Sequence, residues 1–182
     1  MKHKIALIPG DGIGKEVVPE GVRVLEAAGR RFDFEFEWTQ FDWNCELYAK
    51  TGRMMPEDGL DQLKPFDGIF LGAVGYPDVP DHVSLWGLLI PIRRSFHQYV
   101  NVRPARLLPG VKGPLANRGP QDIDLVVVRE NNEGEYSTIG GRIYDDVPEA
   151  TAIQVNVFTR KGVDRVMKYA FELAMKRRKK VT

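Results

Sequence analysis

The chain has 182 residues, 43% of them hydrophobic, enough for one domain or parts of two with a sizeable core. Its 26 basic and 25 acidic residues nearly cancel, which excludes a global field directed at nucleic acid or a membrane surface. One cysteine, Cys45, excludes an internal disulfide and a cysteine metal cluster.

Residues 5–8 (Ile-Ala-Leu-Ile) predict a short strand that follows directly on Met1-Lys2-His3-Lys4. That apolar run is too short for a secretory leader, and no run reaches transmembrane length, so a cytoplasmic location is expected. The strand runs into Pro9-Gly10-Asp11-Gly12-Ile13-Gly14, and helical spacing follows over residues 15–30, with Val17, Val18, Val22, Leu25 and Ala28 on one face. Strand, glycine turn and helix open an α/β unit. The dinucleotide fingerprint Gly-x-Gly-x-x-Gly fails, because counting from Gly10 and Gly12 its third glycine position is Lys15. Residues 32–38 alternate, Phe32, Phe34, Phe36 and Trp38 against Asp33, Glu35 and Glu37, which predicts a half-exposed strand near a sheet edge. A short helix is expected over residues 42–50. Another is expected to open at Pro56 with Leu60 and Leu63 facing inward.

Residues 67–71 predict a buried strand that ends in Gly72-Ala73-Val74-Gly75. Small residues at a strand's C-terminal end let a ligand approach the backbone, or simply make a packing turn. A helix begins near Ser84-Leu85-Trp86-Gly87-Leu88-Leu89 and must kink or restart at Pro91. Along residues 100–103, Val100 and Val102 share one face, Asn101 and Arg103 the other. Leu125-Val126-Val127-Val128 is apolar on both faces and predicts a central buried strand, with Arg129 and Glu130 at its C-terminal end. Residues 137–158 hold two β-prone pieces and predict a protruding arm suited to subunit pairing. Thr159 is a helix cap. Behind it, Val163, Val166, Met167, Ala170 and Ala174 form an apolar stripe expected to be core, and Lys176-Arg177-Arg178-Lys179-Lys180 a solvated helix end. Val181-Thr182 reads as the start of another strand, and the chain is expected to be part of a longer polypeptide.

Arg93, Arg103 and Arg129 lie at the edges of apolar runs rather than in charge clusters. A planar guanidinium there needs an anion: either an internal carboxylate or the carboxylate or phosphate of a ligand. Glu130 and Glu133 are candidates to orient these arginines.

The motifs Ile8-Pro9-Gly10-Asp11-Gly12-Ile13-Gly14, Gly72-Ala73-Val74-Gly75, Tyr99-Val100-Asn101-Val102-Arg103-Pro104 and Val128-Arg129-Glu130-Asn131 stand in an order and spacing that resemble the β-hydroxyacid oxidative decarboxylases, the isocitrate/isopropylmalate dehydrogenase family. The stretches Met54-Met55-Pro56, Pro80-Asp81-His82-Val83-Ser84-Leu85-Trp86-Gly87 and Gly134-Glu135-Tyr136-Ser137 resemble its tartrate and decarboxylating D-malate dehydrogenase branch. The resemblance covers the whole chain and about the first half of a family member.

The resemblance implies an isopropylmalate dehydrogenase-like, three-layer α/β/α fold that is not a Rossmann fold. Residues 1–98 would belong to a cofactor-side domain and residues 99–182 to a substrate and dimerisation domain that includes the arm. It implies NAD-dependent, Mg2+- or Mn2+-dependent oxidation and decarboxylation of a small 2-hydroxy diacid, D-malate or tartrate, with K+ a further candidate ion. The alternatives are 3-isopropylmalate or homoisocitrate as substrate, and an inactive truncated assembly module. Arg93, Arg103 and Arg129 match the arginines on the departing carboxylate, Asn101 a substrate-positioning residue, and Tyr136 the acid that protonates the enolate. Ser84, Trp86, Leu88 and Leu89 match positions that read the substrate's β-carbon substituent, and Ile13, Gly72, Ala73, Val74 and Gly75 match segments near the nicotinamide. The catalytic lysine and the metal aspartates are implied beyond Thr182, with no metal ligand in this chain, and the expected assembly is a homodimer paired through residues 137–158.

Overall fold

A computed structural model describes all residues, Met1–Thr182, as two compact units, Met1–Ser95 and Phe96–Thr182. The first unit is built on strand β1 (Lys2–Gly10), which pairs in parallel with β2 (Glu35–Gln40) on one side and β3 (Gly68–Ala73) on the other. Parallel neighbours require crossovers, supplied by helix α1 (Gly14–Phe32) and by the short helices α2 (Cys45–Thr51) and α3 (Gly59–Leu63). On the face beneath α1, Gly21 makes room for the Phe70 ring: a Cβ there would lie 2.6 Å from Phe70 Cζ. Phe70 continues an aromatic row through Trp38 and Phe36 of the edge strand. Ala6 and Ile8, on the other face of β1, are fully buried. Burial of a side chain such as Ile8 or Leu88 contributes about 2 kcal/mol.

Several boundaries differ from the alternation-based reading. Phe32 is the last residue of α1 and is exposed; the helix ends because Asp33 turns left-handed (φ 59°) and its N–H bonds to the Gly29 carbonyl. Val17 lies on the outer side of α1, and Val18 carries the buried contact. The Pro56 carbonyl accepts from Gly59 N in a turn that precedes α3, so that helix starts three residues later than proline alone indicates. Residues 81–95 form one helical run: α4 (Asp81–Ser84), a π-helical turn (Leu85–Leu89) and α5 (Ile90–Ser95). The π-helical turn bonds Ile90 N–H to the Leu85 carbonyl, five residues back, just before Pro91, which has no N–H to continue the regular ladder.

In the second unit β4 (Val100–Arg106) and β5 (Asp124–Glu130) pair antiparallel, with Asn101 opposite Arg129 and Arg103 opposite Val127. Helix α6 (Arg160–Met175) packs against β5. It is capped by Thr159, whose Oγ1 accepts from Gly162 N at 3.0 Å. β5 is not buried on both faces: Val126 and Val128 are half-buried, while Leu125 and Val127 are 47% and 48% exposed. An apolar strand reports that a surface is to be covered, not which segment covers it. The stripe of α6 is likewise only partly core, for Ala174 is buried while Val163 and Met167 are open. Val181 and Thr182 form no strand in this chain. β6 (Gly140–Ile143) and β7 (Thr151–Gln154) form an antiparallel hairpin whose residues are all exposed. No helix is long and apolar enough to cross a membrane.

Two arginines of the basic run reach one carboxylate: Arg177, which is half-buried, and Arg178, which stays exposed as expected of a solvated helix end. Arg177 Nη2 and Arg178 Nη1 donate to Asp124 at 2.9 and 2.8 Å, and Arg106 Nε donates at 3.1 Å. These contacts, Arg177 first, hold the Asp124 carboxyl down to about 2. The unfolded chain takes up this proton near pH 4 and the folded chain only near pH 2, so the stabilisation is complete above pH 4 and is lost as pH falls through this window. Thermal unfolding followed from pH 5 to pH 2 should show a shallower acid loss in Asp124→Asn than in the parent chain; identical slopes would contradict the clamp.

Candidate functional site

In the first unit the glycine turn after β1 is built around Asp11, which is 3% exposed. Its backbone N–H donates to the Ala73 carbonyl at 2.7 Å. Its carboxylate accepts from Cys45 N (3.0 and 3.2 Å to the two oxygens) and from Gly75 N (3.1 Å). The turn is tight enough that a Cβ on Gly14 would lie 2.1 Å from the Pro9 carbonyl oxygen. Ile13 stands 59% exposed at the start of α1. The first N–H groups of α1, on Gly14 and Lys15, already bond to the Asp11 and Gly12 carbonyls. They are not presented to a phosphate as in the glycine-rich dinucleotide turn, which is the structural counterpart of the failed fingerprint. Ile13 and residues 72–75 thus belong to two turns tied together by one buried carboxylate, a residue that the motif reading passed over as a turn former.

The helical run of this unit separates its candidates. Leu88 is fully buried, and Ser84 is 4% exposed with its hydroxyl donating to the Asp81 carbonyl at 3.1 Å. Trp86 is 38% exposed, and the Arg94 guanidinium stacks 5.1 Å from its ring centre. Leu89 and Arg93, both half-buried, are four residues apart.

In the second unit the ladder register sets the site. Residues opposite one another in an antiparallel pair share a face, so Asn101, Arg103 and Arg129 lie on one side of the β4–β5 pair. The other side carries Asp124 and Glu130, which reach Arg177 and Arg165 at the two ends of the α6 segment. Arg129 Nη2 donates to Glu135 Oε1 at 3.0 Å and makes a short hydrogen bond to the Tyr136 hydroxyl; the guanidinium carbon lies 5.3 Å from the Tyr136 ring centre. The Tyr136 hydroxyl first, and Glu135 after it, raise the Arg129 pKa, so the group is a fixed cation. A guanidinium can only donate, so the tyrosine oxygen is the acceptor in this contact and its own proton points to another acceptor.

The segment beyond Arg129 is held by two carboxylates with distinct tasks. Glu130 Oε1 accepts from the backbone N–H groups of Asn131, Asn132 and Glu133 at 3.0, 2.8 and 3.2 Å. Glu133 accepts from Thr159 N (2.9 Å) and Thr159 Oγ1 (2.7 Å), which closes the base of the arm. These bonds, the Thr159 hydroxyl first, lower the Glu133 pKa. Neither glutamate reaches the site arginines; Glu135, not singled out from sequence, does. No group of three or more His, Cys, Asp or Glu side chains is placed to hold a metal ion.

The model of the isocitrate/isopropylmalate dehydrogenase family matches residues 4–182. The chain is 58% identical over 179 residues to a D-malate dehydrogenase [decarboxylating] of Escherichia coli strain K12, covering 97% of this chain and 50% of that protein. It is 56% identical over 179 residues to a tartrate dehydrogenase/decarboxylase of Pseudomonas putida, covering 97% and 49%. Among solved structures, an isocitrate dehydrogenase from Methylococcus capsulatus superposes with a TM-score of 0.76 at 35% identity, covering 98% of this chain and 49% of that one. A beta-decarboxylating dehydrogenase from Thermococcus kodakarensis gives 0.63 at 29% identity, covering 96% and 46%. The chain thus spans about half the length of the curated relatives it matches. With a family model that spans residues 4–182 and relatives at 58% and 56% identity, the chain belongs to the isocitrate/isopropylmalate dehydrogenase family.

Proposed function

We propose that this chain supplies the carboxylate-recognition half of an NAD-dependent, divalent-metal-dependent enzyme that oxidises and decarboxylates D-malate or tartrate. The observation that carries the reading is Arg129, a fixed cation at the end of β5, on the same face as Asn101 and Arg103, that already holds a carboxylate (Glu135) and the Tyr136 hydroxyl. A guanidinium in this position is matched to a second carboxylate, that of the substrate. A second substrate carboxylate would give Arg103 and the remaining donors of Arg129 an anion that a monoacid lacks, so the arginines favour a diacid. The 58% and 56% identity to D-malate and tartrate enzymes supports this substrate class.

Arg103 and Arg129 orient the carboxylate that departs, and Asn101 aligns the substrate beside them. Tyr136 donates a proton to the enolate carbon, and the neighbouring guanidinium stabilises the charge that develops on its oxygen. Trp86 and Leu89 read the substituent on the β-carbon, while buried Ser84 and Leu88 hold the helix that carries them. Ile13 and residues 72–75 form the surface for the nicotinamide: an exposed apolar side chain beside glycine turns fits a flat ring. Bound NAD+ would supply the hydride acceptor. The side chains of this chain do not by themselves form a metal site. The all-exposed hairpin of β6 and β7 suits pairing of two copies through residues 137–158.

In the polypeptide that joins this chain to the other half of the relatives' length, Arg129→Ala should lower kcat/KM for D-malate by roughly two orders of magnitude, about 3 kcal/mol for a lost charge-assisted contact. Near-parental kinetics would overturn the assignment. NADH formation with D-malate, tartrate and 3-isopropylmalate, each with Mn2+, should favour the first two; a preference for 3-isopropylmalate would replace the substrate, and no turnover of any would leave a binding module. Light scattering on a variant with residues 142–157 replaced by a short turn should give a monomer, and a persistent dimer would remove that role from the arm.

A further inference from the structure

We infer that Asp11 is the positioning residue of the cofactor-side surface: its carboxylate holds residues 72–75 against the turn of residues 10–14 and so sets the shape offered to the nicotinamide. The inference rests on the reading above that Ile13 and residues 72–75 face that ring. Asp11 is 3% exposed, yet its carboxylate accepts three N–H contacts, from elements 34 and 64 residues away in the chain: the start of α2 through Cys45 and the loop after β3 through Gly75. Its own N–H reaches the Ala73 carbonyl, so side chain and backbone of one residue bind both ends of the same loop. Gly75 has φ 151°, a conformation that side-chain-bearing residues rarely adopt, and its N–H bonds to this carboxylate rather than to backbone. A buried carboxylate that gathers these N–H groups, with the Cys45 thiol also hydrogen-bonded to it, fixes their mutual distance, because separation would leave it poorly paired. Cys45 reports on the arrangement. Its thiol is 1% exposed, and burial first, with the Asp11 carboxylate second, pushes it up to about 12.

The test uses the complete polypeptide and compares Asp11→Asn with Ile13→Asp, a change at an exposed side chain that touches the proposed ring surface without loosening the turns. An amide keeps one acceptor oxygen and turns an NH2 donor towards Cys45 N or Gly75 N, with the negative charge gone, so Asp11→Asn should weaken NADH binding about tenfold or more. It should raise the KM for NAD+ far more than it lowers kcat, with the KM for D-malate at saturating NAD+ little changed. Iodoacetamide should alkylate Cys45 about tenfold faster or more in this variant, a readout that needs no bound cofactor. If Ile13→Asp weakens NADH binding while Asp11→Asn leaves both NADH affinity and Cys45 reactivity at parental values, the positioning role is overturned and the site reading stands. If Asp11→Asn speeds Cys45 alkylation while neither variant changes NADH affinity, the carboxylate holds the turns but they do not face the cofactor, and both readings fall. Should Asp11→Asn not fold, amide exchange in the parent protein decides: Gly75 N–H should be protected at least about a hundredfold, and exchange at the rate of an unbonded loop amide would overturn the inference.

Discussion

A guanidinium at the end of an apolar strand must be satisfied, and the second unit is arranged around that requirement. Arg129 ends the run Leu125-Val126-Val127-Val128 with its side chain only 29% exposed, on the face away from Glu130. Arginine does not lose its proton, so the chain must bring acceptors to it. It does so by turning sharply at residues 131–133 and returning Glu135 and Tyr136 to the guanidinium. The turn is held by the adjacent carboxylate, Glu130, which gathers three successive backbone N–H groups. The arm that follows is closed at its base by Glu133 and Thr159. Guanidinium, tyrosine and arm base are therefore linked by local bonds, and the position of Tyr136 follows from the position of Arg129.

The acidic residues divide into those that build and those that meet the site. Asp11, Glu130 and Glu133 each accept backbone N–H groups and set the course of the chain. Asp124 anchors the end of the α6 segment. Glu135 alone among the carboxylates described is held by a site arginine. It is part of the surface that the proposed substrate carboxylate would meet.

Much of this was legible in the residues. The alternation of residues 100–103 placed Asn101 and Arg103 on one face, and the ladder adds Arg129 opposite Asn101. Thr159 was readable as a cap and residues 137–158 as two β-prone pieces, because caps and turns are local chemistry. What escaped were contacts between distant residues. Asp11 in Gly-Asp-Gly has the composition of an ordinary turn, and only folding brings Cys45 and Gly75 to it. Glu133 read as a candidate to orient the arginines because its actual partner, Thr159, lies 26 residues on. Periodicity misplaced Phe32, since alternation continued back through a left-handed helix end. It also made β5 seem buried on both faces, since composition records the need for cover without naming the cover.

The central claim is that the face bearing Asn101, Arg103 and Arg129 receives a carboxylate of a small 2-hydroxy diacid beside Tyr136. A crystal structure of the complete polypeptide with D-malate and Mn2+ tests it most directly. The account predicts one substrate carboxylate within hydrogen-bonding distance of the Arg103 and Arg129 guanidinium groups, with the Tyr136 hydroxyl next to it. D-malate bound elsewhere, with Arg129 still held by Glu135 and Tyr136 alone, would contradict it.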